Sequence, residues 1–401
     1  MSQSKELSRW SGVVSSKMQQ LSRSEAQVLA MYSFGMVMVQ SCGMSSIAYF
    51  LAELLDEKEG SVRQRLREWN FEASAKRGRQ RKEIVVSSSF APLLKWILSW
   101  WAVGEKRMAL VLDASNLRDR FTVLALSVVY RGCAIPVAWV IIPQCQKGAW
   151  CPHWQALLES LQDVIPSDWT VIVLADRGLY AKWLYKKIQK CGWHPFLRIN
   201  QQGSCRKMGE AGFHPLAHVV TACQPTWCGE VDCFKTKAAR LGCTLLAVWD
   251  DAYADFWLIV TDLAPHQAQA AWYGMRSWIE AGFKDTKRGG WHWEQTKMSD
   301  PARVERLWLV IALATLWVVS VGAAAEDALP ASSFDALPPN HIAKRRKTKK
   351  AQPRLLSCFR RGIIRILVAL IRGEALPLGR FSPSAWPDFF PERASPLNTY
   401  P

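Results

Sequence analysis

The sequence predicts an α/β fold: a mixed β-sheet with flanking helices and a β-rich insertion, preceded by a helical N-terminal region. Three observations predict it. Helical runs punctuated by glycine fill residues 1–100. From residue 107, three apolar, β-branched runs follow one another with short polar breaks. Helix and strand patterns then alternate as far as residue 321.

In the N-terminal region, helices are expected over Ser24 to Met38, Ser45 to Leu55 and Ser61 to Trp69, with Gly43 and Gly60 as breaks. The last two flank a DEKEG turn and suit a helix-turn-helix, a unit that serves packing as readily as DNA contact. The stretch KRGRQRK then places Lys76, Arg77, Arg79, Arg81 and Lys82 together. Such a run is either a solvated loop or an arm that touches phosphates.

Residues 101–199 read as the first part of the core. MALVLDA (108–114), FTVLALSVVY (121–130) and AIPVAWVII (134–142) predict an antiparallel meander. A helix from Pro152 to Leu161 precedes the strand of TVIVLADRG (170–178), and a helix from Tyr180 to Cys191 precedes PFLRI (195–199). Residues 200–262 lose this regularity and are read as a β-rich insertion with return strands at 242–250 and 256–262. Residues 263–325 close the core with helices from Ala268 to Arg288, stopped by Gly289 and Gly290, and from Pro301 to Val321. Residues 326–401 read as a linker and basic tail with a short amphipathic helix around Arg360 to Arg372 that docks on the body.

Composition narrows the function classes. Lys plus Arg outnumber Asp plus Glu by 51 to 34, and the formal net charge of +17 favours a polyanionic partner. Met1 to Gln20 carries no apolar signal segment, so the 11 cysteines are expected to be reduced thiols in a cytosolic protein. The apolar run Leu307 to Val321 is 15 residues long, short of the roughly 20 needed to span a bilayer, and is expected to be a buried helix. No glycine-rich phosphate loop implies ATP. His214, His218, Cys223, Cys228, Cys233 and Cys243 invite a structural zinc reading, but their spacing only reaches the edge of the usual cysteine pairs, and buried thiols are the other reading.

Asp113 and Asp176 each end an apolar strand, and carboxylates at the ends of neighbouring strands can share hard divalent ions. Asp262 is the substitute should Asp176 not take part. Along the helix of 268–288, Tyr273, Arg276, Glu280 and Lys287 stand at offsets 0, 3, 7 and 14. At about 100° per residue they form one polar stripe, with Trp278 and Ile279 opposite.

The run YGMRSWIEAGFKDTK (273–287) resembles the Y-R-E-K signature of the bacterial DDE transposases of the insertion-sequence-four family. Asp113 in VLDAS and Asp176 in ADRG match that family's first two catalytic acids, with Glu280 the third, and the resemblance spans about 105–320. It implies a ribonuclease-H-like core in which Asp113, Asp176 and Glu280 hold Mg²⁺, replaceable by Mn²⁺. Double-stranded DNA, as element ends and as target, is the implied substrate, handled by a homodimer on the nucleoid in the cytoplasm and away from membranes. The implied chemistry is nicking at the ends, then attack by the freed 3′-hydroxyl, through a hairpin in some relatives. Arg276 and Lys287 would hold phosphates, Tyr273 would hydrogen-bond a phosphate oxygen, and Arg177 would face DNA or serve its turn. Trp249, Trp257, Trp291 and Trp293 are candidates for stacking on a flipped base. A metal-dependent nuclease without strand transfer and a silent DNA-binding derivative are the alternatives.

Overall fold

The computed structural model describes residues 2–77, 82–144, 150–221, 223–249, 256–326, 356–382 and 386–387. Five helices come first: α1 (Ser2–Lys17), α2 (Arg23–Val39), α3 (Met44–Leu55), α4 (Glu59–Trp69) and α5 (Phe90–Trp100). A capping box fixes the start of α2, with Ser22 accepting from the Glu25 main chain while Glu25 reaches back to Ser22. At the bend into α3, a Cβ at Gly35 would stand 2.6 Å from Ile47, so glycine is what lets the two helices meet. α1 has no counterpart among the helices expected from the sequence. Its signal was present in Leu7, Trp10, Val14 and Met18, which are all buried at helical spacing.

The sheet comprises β1 (Arg107–Leu117), β2 (Phe121–Tyr130), β3 (Cys133–Pro143), β4 (Thr170–Ala175), β5 (His194–Arg198), β6 (Ser204–Lys207), β7 (His214–Pro215), β8 (Thr226–Cys233), β9 (Leu241–Val248) and β10 (Trp257–Thr261). Their order is β3-β2-β1-β4-β5-β10-β9-β8-β6-β7. β1, β2 and β3 form the expected antiparallel meander, and β4 lies parallel to β1 and to β5. Both faces of β2 are covered, which is why its sequence is one continuous apolar run. The inserted strands continue this same sheet, because β10 pairs antiparallel with β5 and β9 with β10. With α6 (Cys151–Glu159) and α7 (Lys182–Lys190) beside it, the mixed sheet has the α/β, ribonuclease-H-like layout that the sequence predicts.

α8 (Trp278–Thr286) and α9 (Pro301–Ala325) complete the core. Asp300 caps α9 and Pro301 opens it. At 25 residues α9 is long and apolar enough to cross a membrane, so the length argument from the sequence does not hold. What makes it a core helix is burial along nearly its whole course. Trp10 stacks on Trp317 with ring centroids 4.2 Å apart, and Trp69 donates to the main-chain oxygen of Arg306, so the N-terminal helices share a core with the sheet domain.

The C-terminal helix lies on the body. α10 (Cys358–Ile371) lies against α9 through paired glycines: a Cβ on Gly322 would reach 1.8 Å from the Cys358 oxygen, and one on Gly362 would reach 1.8 Å from that of Val318. Beyond it, Leu376 donates its N–H to Glu6, Phe381 pairs with Trp100 and Ala102, and the Tyr130 hydroxyl donates to the Ser382 oxygen. Trp386 meets Trp272 edge-on at 4.9 Å. The Pro- and Lys-rich part of the expected linker lies outside the described residues.

Candidate active site

The register of β1 and β4 places the first two acids. Leu112 pairs with Ala175, so the next residues, Asp113 and Asp176, lie side by side where β4 ends; β1 itself runs on to Leu117 beside β2, so the expectation that Asp113 ends its strand is corrected to a place within it. Glu280 arrives from α8, which approaches the sheet closely because Gly282 rests on Ala134 of β3. A Cβ there would come within 2.8 Å of the Ala134 methyl.

Arg276 joins the three. Its Nη2 stands 3.0 Å from Asp113 Oδ2 and 3.5 Å from Asp176 Oδ2, while Nη1 bonds Glu280 Oε1. The remaining oxygens of the two aspartates accept main-chain N–H groups, Asp113 Oδ1 from Ala114 at 2.8 Å and Asp176 Oδ1 from Arg177 at 2.6 Å. Burial pushes the Asp113 carboxyl above its ordinary range against the pull of Arg276, with Asp176 and Glu280 adding to the rise. Burial works to lower the value for Arg276, but the charges of Asp113, Asp176 and Glu280 and the phenol of Tyr273 outweigh it and hold the guanidinium more firmly protonated.

Lys287 reaches the same end of β1, donating to Ser115 Oγ at 2.8 Å and to the Asn116 oxygen at 2.9 Å. Burial lowers its ordinary value, and the charge of Glu294 opposes that. It belongs to no helical stripe. Residues Ala270–Ser277 form a 3₁₀-helix, α8 begins only at Trp278, and Lys287 caps it with non-helical dihedrals. The single helix expected over 268–288 is therefore corrected to two kinds of helix, whose different turns carry Tyr273 elsewhere. Tyr273 is buried, edge-on to Trp257 at 5.2 Å, with its hydroxyl directed at the Ala175 oxygen. It lies beneath the acids, and the phosphate contact expected of it is corrected to a support of β4.

Three of the four stacking candidates are corrected likewise. Trp291 and Trp293 have no exposed surface, the first bonded to Thr315 and the second packed on Trp308, and Trp257 is covered by the same 3₁₀ segment. Their polar neighbours in sequence concealed core roles. Trp249 remains part-exposed at the end of β9.

Arg177 is exposed directly after Asp176. In the basic arm, Arg77 is exposed, Lys76 is partly covered and donates to the Lys82 oxygen, and Arg79 and Arg81 lie outside the described residues. Asp262 pairs with His194 and accepts from Gln189, so it is not the second acid of this cluster. Among the insertion's thiols, Cys243 and Cys233 stand 3.8 Å apart, while Cys223, Cys228, His214 and His218 are exposed. The zinc reading gains no closed ligand set from this arrangement.

Three carboxylates on a rigid frame are the hard oxygen donors that suit Mg²⁺, and their convergence on one cation shows that they share a centre. Among the described residues, no group of three or more His, Cys, Asp or Glu side chains is arranged to hold a metal ion as it stands. The donor chemistry fits, with the guanidinium lying between the donors. Sequence reasoning named the acids and Arg276 but missed the contacts of Arg276 with Asp113 and Asp176, because ion pairing between residues far apart in the chain leaves no local pattern; the Arg276–Glu280 pair, by contrast, is a local one between residues four apart.

The family model described as the transposase DDE domain matches residues 107–317, more than half of the chain. No curated protein matches it.

Proposed function

The chain belongs to the family of transposase DDE domains, and from that premise we propose that it is a DNA transposase of the Y-R-E-K type, which nicks the ends of a mobile element and joins the freed 3′ ends to target DNA. The observation that carries the proposal is the meeting of Asp113, Asp176 and Glu280 on one guanidinium. Side chains from β1, β4 and α8 have no packing reason to collect like charge at one point. Where packing alone governs, such charges are kept apart or neutralised.

Asp113, Asp176 and Glu280 would hold divalent ions, Mg²⁺ or Mn²⁺, which when bound activate water or a 3′-hydroxyl and stabilise the leaving oxygen. Asp113 and Asp176 are fixed by their main-chain N–H partners, so their outward oxygens are aimed before DNA arrives. Lys287 braces the end of β1 through Ser115 and Asn116. Exposed Arg177 and Arg77 offer positive charge to the phosphates of element ends and target, in line with the net charge of +17. In this reading the protein works on the nucleoid as a homodimer that pairs two ends.

The test compares wild type and Glu280→Gln on duplex DNA taken from the flanks of the coding region, with Mg²⁺ or Mn²⁺, resolving nicked, hairpin and joined products. Metal-dependent nicks and joints that vanish in the variant support the proposal. Nicks without joints favour a nuclease, and binding without cleavage by either protein favours a silent DNA-binding derivative.

A further inference from the structure

Arg276 is wired to the triad in a way that a simple phosphate contact does not require. We infer that it is an exchangeable counter-ion: its guanidinium holds the three carboxylates until a DNA phosphate draws it away, so that this one side chain couples divalent-ion binding to DNA binding. The inference rests on the proposed metal-dependent reading.

The geometry makes the two cations competitors. Each aspartate has one oxygen committed to a main-chain N–H and the other to Arg276, and Glu280 gives Oε1 to the same guanidinium. A magnesium ion needs such oxygens at roughly 2.0–2.1 Å in near-octahedral array. Oxygens gathered around a guanidinium sit at hydrogen-bond range and on different nitrogens, 3.0 Å and 3.5 Å from Nη2 for the aspartates. An ion therefore enters the centre only as the guanidinium leaves it.

The displaced side chain has somewhere to go. Phosphate oxygens offer a guanidinium fork the same planar, charge-assisted pairing that carboxylates do. One positive charge also cannot neutralise three carboxylates, so a divalent ion remains attracted to the site while Arg276 is present. By linkage, if DNA takes Arg276 and thereby tightens ion binding, the ion must tighten DNA binding by the same factor. Lys287 provides the contrast: it is equally close to the end of β1, but it donates to a hydroxyl and a carbonyl, so it leaves the carboxylates alone.

Mn²⁺ binding to the full chain, read from the paramagnetic resonance signal of the free ion, tests this with and without a duplex from the element flank. Wild type should bind Mn²⁺ weakly alone and about tenfold or more tightly with duplex. Arg276→Ala should bind it tightly without DNA and gain little from the duplex, and Lys287→Ala should keep the wild-type difference. Arg276→Lys, which retains the charge but lacks the fork, should fall between and serves if the alanine variant does not fold. Unchanged Mn²⁺ affinity in the Arg276 variants, or an equal gain in Lys287→Ala, overturns the inference while metal-dependent nicking by wild type leaves the proposed function standing. No Mn²⁺ binding in any protein, together with no metal-dependent nicking, overturns both.

Discussion

The hydroxyl of Tyr273 lies 3.4 Å from the main-chain oxygen of Ala175, the residue immediately before Asp176, and so braces the end of β4 from inside the fold. The long contact suggests a weak bond, worth about 0.5–1 kcal/mol. Tyr273→Phe should therefore lower thermal stability slightly and leave affinity for duplex DNA unchanged, as measured by calorimetry and by fluorescence anisotropy. A clear loss of DNA affinity with unaltered stability would return the phenol to the DNA surface.

Gly282 controls how closely α8, and with it Glu280, approaches the sheet. A methyl group there would meet the Ala134 methyl at 2.8 Å and the Ala134 oxygen at 3.2 Å. Overpacking of this kind costs about 1–3 kcal/mol. Gly282→Ala should lower the unfolding midpoint in urea and slow nicking, and adding Ala134→Gly should recover part of both by removing the nearer clash. A second substitution with no effect on the first would place the strain elsewhere.

The parts of the fold legible in the sequence were those whose environment is uniform along the chain. β1 to β5 were found because their covered stretches must be apolar, and the ends of two such stretches, 108–112 and 171–175, delivered Asp113 and Asp176. The segment 270–277 was misread because a 3₁₀ turn and an α turn carry nearly the same residue preferences, and the difference lies in how the chain meets Trp257 and Phe196. Arg276 was placed near phosphates on the family's pattern, yet its partners are three acids brought together only by β1, β4 and α8. The tryptophans failed for a related reason: GGWHWEQ looks polar, but its two indoles turn inward against α9 and α10.

That inward turn makes a separable prediction for the tryptophans. Trp291→Ala and Trp293→Ala should each cost about 3–5 kcal/mol, because they empty fully buried sites. Trp249→Ala, at a part-exposed position, should leave thermal stability nearly unchanged and reduce hairpin or joined products if a base stacks there. Melting curves and product gels on the same preparations distinguish the cases. Normal product yield from Trp249→Ala would remove the last of the four candidates.

Asp285 gives the site helix a pH dependence of its own. Burial, opposed by the charge of Lys284, pushes its carboxyl up to about 7. An acid raised on folding holds its proton more tightly in the native chain than in the unfolded one, where the value is about 3.9. Its contribution is thus fully present below the unfolded value. It declines as pH rises from there towards 7 and is lost above, since the folded chain must then carry a buried charge. Asp285→Asn keeps the shape and removes the titration, and the main-chain oxygen of residue 285 still accepts from Trp291. The variant should melt with wild type at pH 4 and several degrees above it at pH 8. Parallel melting curves across that range would mean that Asp285 is solvated in the native protein and that the turn after α8 is more open than its packing indicates.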